Sequence, residues 1–366
     1  MKKVCFIVLG FLLFGCAKKP VKIGVVVPLS QELSSYGKMC LNGIKLAAEV
    51  INEKGGIKGR KIELIVEDNR GEKETSLSAI EKFNQEAVVA VIGPLTTRNT
   101  MWVGEYADDE NLPVIAPTAT GIEATREREW VWRIAFTDPF QGITLAKFIS
   151  EELKMRSVCI IMNPNDPYST GLCESFENEF NAQGGKVLFK ATFNAGDTLF
   201  DEQLKVMEKQ DPDCIFVPAF YPEAGFIIRQ ARDMGFTQPF IGGDGWDSPE
   251  LFKIIGDRKG INYYSTHFFY NYGGAEIQEI LHRYMTEYEE TPQTFSALGY
   301  DALMVIKKCF EHAGRVTRGE FKNNIKKVSY LGTTGNIDFT QAKDPRRSLM
   351  ILKFESGNPV EMVKMY

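Results

Sequence analysis

The residues of this chain best suited to chemistry on a small solute are two hydroxyl-rich loops and one acid held among glycines. Val88 to Ile92 is followed by Gly93-Pro94-Leu95-Thr96-Thr97-Arg98-Asn99-Thr100, which puts hydroxyls and free backbone amides where a helix begins. Such a helix start attracts a carboxylate through its dipole and its unpaired N–H groups, although Thr97 also suits a plain N-cap. Ala116-Pro117-Thr118-Ala119-Thr120-Gly121 is a second polar loop after the next strand. Further on, Phe220 and Tyr221 follow a strand, and Ile241-Gly242-Gly243-Asp244-Gly245-Trp246 places a carboxylate after another. An acid there balances an ammonium group, and an aromatic face adds about 0.5–2 kcal/mol of cation–π attraction. Asp244 also suits a simple turn, Asp247 reads as a helix cap, and Asp166 reads as a turn former.

Catalytic chemistry is poorly served. There are three histidines, His267, His282 and His312. Two fall in helical patterns and His267 in a connector, without the polar partners that acid–base or triad chemistry requires. The seven cysteines show no CxxC or Cys/His ligand spacing, so neither a metal site nor a cofactor is expected. Most of the later ones, from Cys40 on, are expected as buried free thiols. Gly55-Gly56-Ile57-Lys58-Gly59-Arg60 follows a helix and lacks the Gly-Lys-Ser/Thr ending, so it reads as a turn and not a phosphate loop. A net charge of −5 with both signs interspersed offers no basic face for nucleic acid.

Alternating strands and helices must position these loops. Lys22 to Val27 reads as a buried strand, followed by a helix through Cys40, Ile44 and Ile51 that stops at Gly55-Gly56. Strands are expected again at 62–66, 88–92, 113–115 and 131–134, with helices between. A second set follows, with strands at 158–162, 187–189, 215–217 and 239–241. The order βαβα implies two doubly wound α/β units with parallel sheets, in a chain of 366 residues that is long for one core. No low-complexity linker separates them, so two lobes flanking a cleft are expected. Ligands of such sheets bind beyond the carboxyl ends of the strands, where the polar loops lie.

The N-terminus reads as an export signal. Lys2 and Lys3 precede an apolar run from Val4 to Phe14, whose length suits a signal core of roughly 7–15 residues and not a bilayer span of about 20. Leu13-Phe14-Gly15-Cys16 resembles the bacterial lipobox, in which the cysteine carries the lipid. Residues 1–15 are then a signal peptide, residues 16–20 a lipidated tether, and Cys16 the membrane anchor.

The body of the chain resembles the branched-chain amino acid–binding proteins of bacterial ABC transporters, of the type I periplasmic-binding-protein fold. The likeness rests on Asn52-Glu53-Lys54-Gly55-Gly56-Ile57-Lys58-Gly59, Ala116 to Thr120, Tyr221-Pro222-Glu223, Arg229-Gln230-Ala231-Arg232, Gly242 to Gly245 and Gly299-Tyr300-Asp301-Ala302. It implies two lobes joined by a three-strand hinge, crossing near Thr137, His267 and Gln341. One lobe then comprises 21–138 and 267–340, the other 139–266 and 341–366. By the same resemblance Thr97, Thr118 and Thr120 hold the ligand carboxylate, Asp244 meets its ammonium, and Tyr36, Tyr168 and Phe220 close over it. Leu95 and Trp102 are candidates for the side-chain pocket. The family's acid is often glutamate, the Phe220 position often tyrosine, and a cysteine pair near Gly71 and Thr96 is absent here. The function implied is capture of an amino acid by a monomer through hinge closure and delivery to a membrane permease, without catalysis. A carboxylic acid, amide or small peptide as ligand, or a sensory role for the lipoprotein, is the alternative.

Overall fold

The computed structural model describes residues 18–311, 313–355 and 360–366. The residues expected to form the signal and lipobox, Cys16 among them, lie outside the described residues, as does His312. Five strands form the first sheet: β1 (Val21–Val27), β2 (Ile62–Asp68), β3 (Ala90–Ile92), β4 (Val114–Ala116) and β5 (Val131–Arg133). They run parallel in the order β2-β1-β3-β4-β5. Nearly every β1 residue is buried, as befits a central strand with helices on both faces.

The second sheet takes β6 (Ser157–Met162), β7 (Lys186–Thr192), β8 (Cys214–Val217), β9 (Phe240–Gly242) and β10 (Ile261–Thr266) as parallel neighbours. Setting aside the small hairpin β11 (Ser329–Gly332) and β12 (Gly335–Asp338), the chain ends in β13 (Met350–Glu355) and β14 (Glu361–Met365). These last two add to β10 as antiparallel strands, giving the order β14-β13-β10-β9-β8-β6-β7. The apolar run at 349–354 is therefore β13, whereas the stretch at 337–339 contributes to the separate hairpin.

The chain passes between the sheets between Arg133 and Asp138, between Thr266 and Ala275, and between Asp338 and Met350. Thr137, His267 and Gln341 lie in these segments. The third is pinned to the first lobe, because the buried Arg133 guanidinium donates to Asp344 (Nε–Oδ1 2.8 Å) and to Thr125 Oγ1 at 2.6 Å.

Returning to the first lobe, helix Thr294–Glu311 packs closely on helix Ser34–Glu53. A Cβ at Gly43 would stand 1.9 Å from the Ser296 carbonyl oxygen, and one at Gly299 2.4 Å from that of Cys40. Glycine at both crossing points lets the helices approach until the rings of Tyr36 and Phe295 stack, with centroids 3.9 Å apart and planes 8° from parallel. Cys40, Cys159, Cys173, Cys214 and Cys309 are all buried and unpaired. Burial raises every one of these thiols, Cys159 and Cys173 to about 11. No helix among the described residues is long and apolar enough to cross a membrane.

Candidate functional site

Beyond the carboxyl end of β3, Thr96 caps the helix Thr97–Asp109 by accepting from the Asn99 amide at 3.2 Å. The cap is thus one residue earlier than an N-cap at Thr97 would be, which frees the Thr97 side chain. Its hydroxyl accepts from the Gly121 amide at 3.0 Å, stitching the loop after β3 to the loop after β4. Having accepted that bond, the Thr97 hydroxyl still has its proton to donate to an anion. Thr118 differs: its hydroxyl donates to the Leu95 carbonyl at 2.7 Å. It can accept from an ammonium, but it cannot donate to a carboxylate unless that bond breaks.

The second lobe supplies the opposite wall. Asp244 opens a 3-10 turn, Asp244–Trp246, directly after β9, and its amide donates to Gln141 Oε1 at 2.7 Å. Tyr168 lies in the first turn of helix Pro167–Ala182, which Asp166 caps through the Ser169 amide at 3.3 Å. The Tyr168 hydroxyl accepts from the Gly245 amide at 3.1 Å, and its ring lies over Phe220 with centroids 5.0 Å apart. Tyr36 reaches across from the first lobe, donating to the Gly245 carbonyl and accepting from the Tyr221 amide at 3.1 Å.

Tyr36, Thr97, Thr118, Thr120, Tyr168, Phe220 and Asp244 therefore line a single narrow cavity, together with Leu95, Thr96, Gly245 and Phe295. Hydroxyls and helix-start amides occupy one side, a carboxylate the other, and aromatic rings lie between. An adjoining cavity, more open to solvent, shares Thr96 and Phe220 and adds Arg70, Glu72, Arg98 and Asp166. At this mouth Arg98 of the first lobe pairs with Asp166 of the second, Nη2 to Oδ1 3.4 Å.

Burial dominates the electrostatics. It drives the Tyr36 and Tyr168 hydroxyls well above the usual phenol range, so both stay protonated. Burial likewise holds the Asp138 carboxyl well above the ordinary carboxylate range, and the Thr120 hydroxyl beside it opposes this only in part. Among the described residues, no group of His, Cys, Asp and Glu is arranged to hold a metal ion.

Some expectations need correction. Ser248, and not Asp247, caps helix Pro249–Ile255, while Asp247 is buried and accepts from the Thr266 hydroxyl at 2.5 Å. Trp102 is not in the cavity; it lines a shallow depression with Met101, Pro164 and Thr170. Phe295, Gln141 and Asp138 escaped the sequence reading because each joins the site from a distant helix. His267 does lie in a connecting segment, and it is buried there with Nε2 3.4 Å from Asp244 Oδ2.

Two sheets, three crossings and a cavity lined from both lobes define a two-lobed solute-binding architecture. The chain belongs to the periplasmic binding protein family, whose model matches residues 20–358. It is 25% identical over 337 residues to the leucine-, isoleucine-, valine-, threonine- and alanine-binding protein of Pseudomonas aeruginosa, covering 92% of this chain and 90% of that one. Its structure is similar to the leucine binding protein LivK from Thermotoga maritima, with a TM-score of 0.89 and 32% identity over 94% of this chain and 98% of that one. It is equally similar to the branched-chain amino acid transporter substrate binding protein LivJ from Streptococcus pneumoniae in complex with isoleucine, with a TM-score of 0.89 and 31% identity over 94% and 99% of the two chains.

Proposed function

We propose that this chain is the extracytoplasmic solute-binding component of an ABC importer and captures a branched-chain or other apolar amino acid. The observation that carries this reading is the polarity of the cavity, with the free Thr97 hydroxyl on one lobe and Asp244 on the other. A zwitterion offers the complementary pair of charges at matching ends. Leu95, Phe295, Phe220 and Tyr36 leave an apolar middle for its side chain. Binding by hinge closure follows from the division of the site, because each lobe alone holds only one end of the ligand. The relatives named above, by their names, bind leucine, isoleucine, valine and similar amino acids, which supports the same ligand class. The closed lobes then present a joint surface to a membrane permease, and Cys16 tethers the monomer by its lipid. The residues assembled here serve binding and no turnover.

Isothermal titration of the purified protein with leucine, isoleucine and valine, and with their 2-hydroxy acid analogues, tests the reading. Amino acids are expected to bind and the hydroxy acids, which lack the ammonium, to bind at least tenfold more weakly. Equal binding of both sets would defeat it.

A further inference from the structure

Behind Asp244, where the first two chain crossings meet, lies a cluster of buried polar side chains that ligand capture as described does not use. The His267 imidazole stacks on the Phe136 ring, with centroids 3.5 Å apart and planes 17° from parallel. One crossing thus rests on the other. Among the described residues His267 Nδ1, Asp244 Oδ1 and Gln141 Nε2 have no hydrogen-bond partner, and His267 Nε2 faces only Asp244 Oδ2. Unpaired buried polar atoms gathered around one acid are costly and call for an explanation.

We infer that His267 is a positioning residue that competes with the ligand's ammonium for Asp244, so that amino acid capture expels a proton from the hinge. This rests on the amino acid reading. Among the described residues, His267 is the one cation-forming side chain within ion-pair distance of Asp244, at 3.4 Å. Protonated, it compensates the carboxylate while the cavity side of Asp244 carries no cation. An ammonium arriving there places a second positive charge beside the first, and the imidazole, sealed under Phe136, yields its proton to solvent. The other charged neighbours act consistently. Arg347 from the third crossing disfavours a charged imidazole, and burial in the closed form holds His267 below its ordinary value against the pull of Asp244. Asp138, on the helix after the first crossing, is kept protonated by burial and does not take over the pairing. Asp247 lies just past Asp244 and is pushed up to about 6 by burial, so it titrates in the same range and has to be tested separately.

The sign follows from linkage. If ligand lowers the ionisation of His267, affinity is full above the histidine's open-form value and weakens as pH falls below it, approaching tenfold per pH unit. Titrating leucine into the purified protein at about pH 6, in buffers of different ionisation enthalpy, is expected to reveal release of up to roughly one proton per ligand, vanishing near pH 8. H267N is expected to bind leucine at about pH 8 but to lose both the proton release and the acid-side slope, whereas D247N keeps both. Leucine binding by the unmodified protein with no proton exchange at about pH 6 would overturn the inference and leave the amino acid reading intact. Release that persists in H267N, or disappears in D247N, would also overturn it. Failure of every amino acid to bind at any pH would instead overturn the reading on which it rests.

Discussion

The Tyr36 hydroxyl donates to the Gly245 carbonyl across the cleft, so a single phenol on the first lobe is bonded to the residue next to Asp244 on the second. It also accepts from Tyr221, and its ring is fixed from behind by Phe295. It ties the two lobes together beside the ligand cavity.

Y36F keeps the ring and removes this tie. Losing a buried bond of this kind costs about 1–1.5 kcal/mol, so leucine affinity is expected to drop roughly tenfold. Small-angle scattering with saturating leucine is expected to reveal a larger radius of gyration than the unmodified protein has.

D244A removes the charge opposite the ammonium. A buried charge contact truncated on one side costs about 2–5 kcal/mol, so calorimetry should record a loss of roughly thirtyfold or more. The ligand-free melting temperature is expected to hold or rise, because an acid with an unpaired buried oxygen is gone.

G242A tests the packing beneath Asp244. A Cβ there would stand 2.0 Å from the ring of Trp246, which is fully buried and donates to the Val217 carbonyl at 3.2 Å. Overpacking costs about 1–3 kcal/mol, so thermal melts are expected to fall and leucine affinity to fall with them as the turn shifts.

D247N tests the pH dependence of folding. Burial pushes the folded carboxyl up to about 6, above its ordinary value of 3.8. Below the unfolded value both states are protonated and nothing is lost. Between the two values the folded state holds the extra proton, so stability falls as pH rises, and above the folded value the penalty is complete. That penalty is about 3 kcal/mol, to order of magnitude. Denaturant titrations should find D247N more stable than the unmodified chain near neutrality, with the advantage disappearing toward about pH 4.

The sequence carried most of the strands because parallel strands buried on both faces are plain apolar runs, as in Val21–Val27. β14 was not legible, since Glu361–Met365 alternates exposed with half-buried residues and includes charges on an outer strand. Local chemistry also misassigned the Asp247 cap by one residue and left Thr97 open as a cap, because Thr96 and Thr97, or Asp247 and Ser248, are equally good cap types. Only the path of the chain decides between them. The acid and the hydroxyl loops were visible because they follow strands directly. His267 and Phe295 were not, because what gives them meaning is a partner far away in sequence, Asp244 for one and Tyr36 for the other.

The five unpaired thiols have a consequence for how the chain matures. With each sulfur walled off from water and its ionisation raised, thiolate is scarce and attack on a disulfide or a peroxide is slow. None of these residues has to be oxidised for the fold to close. Refolding from denaturant can therefore proceed without an oxidant or isomerase, and the native molecule can sit in an aerobic medium without being scrambled by it.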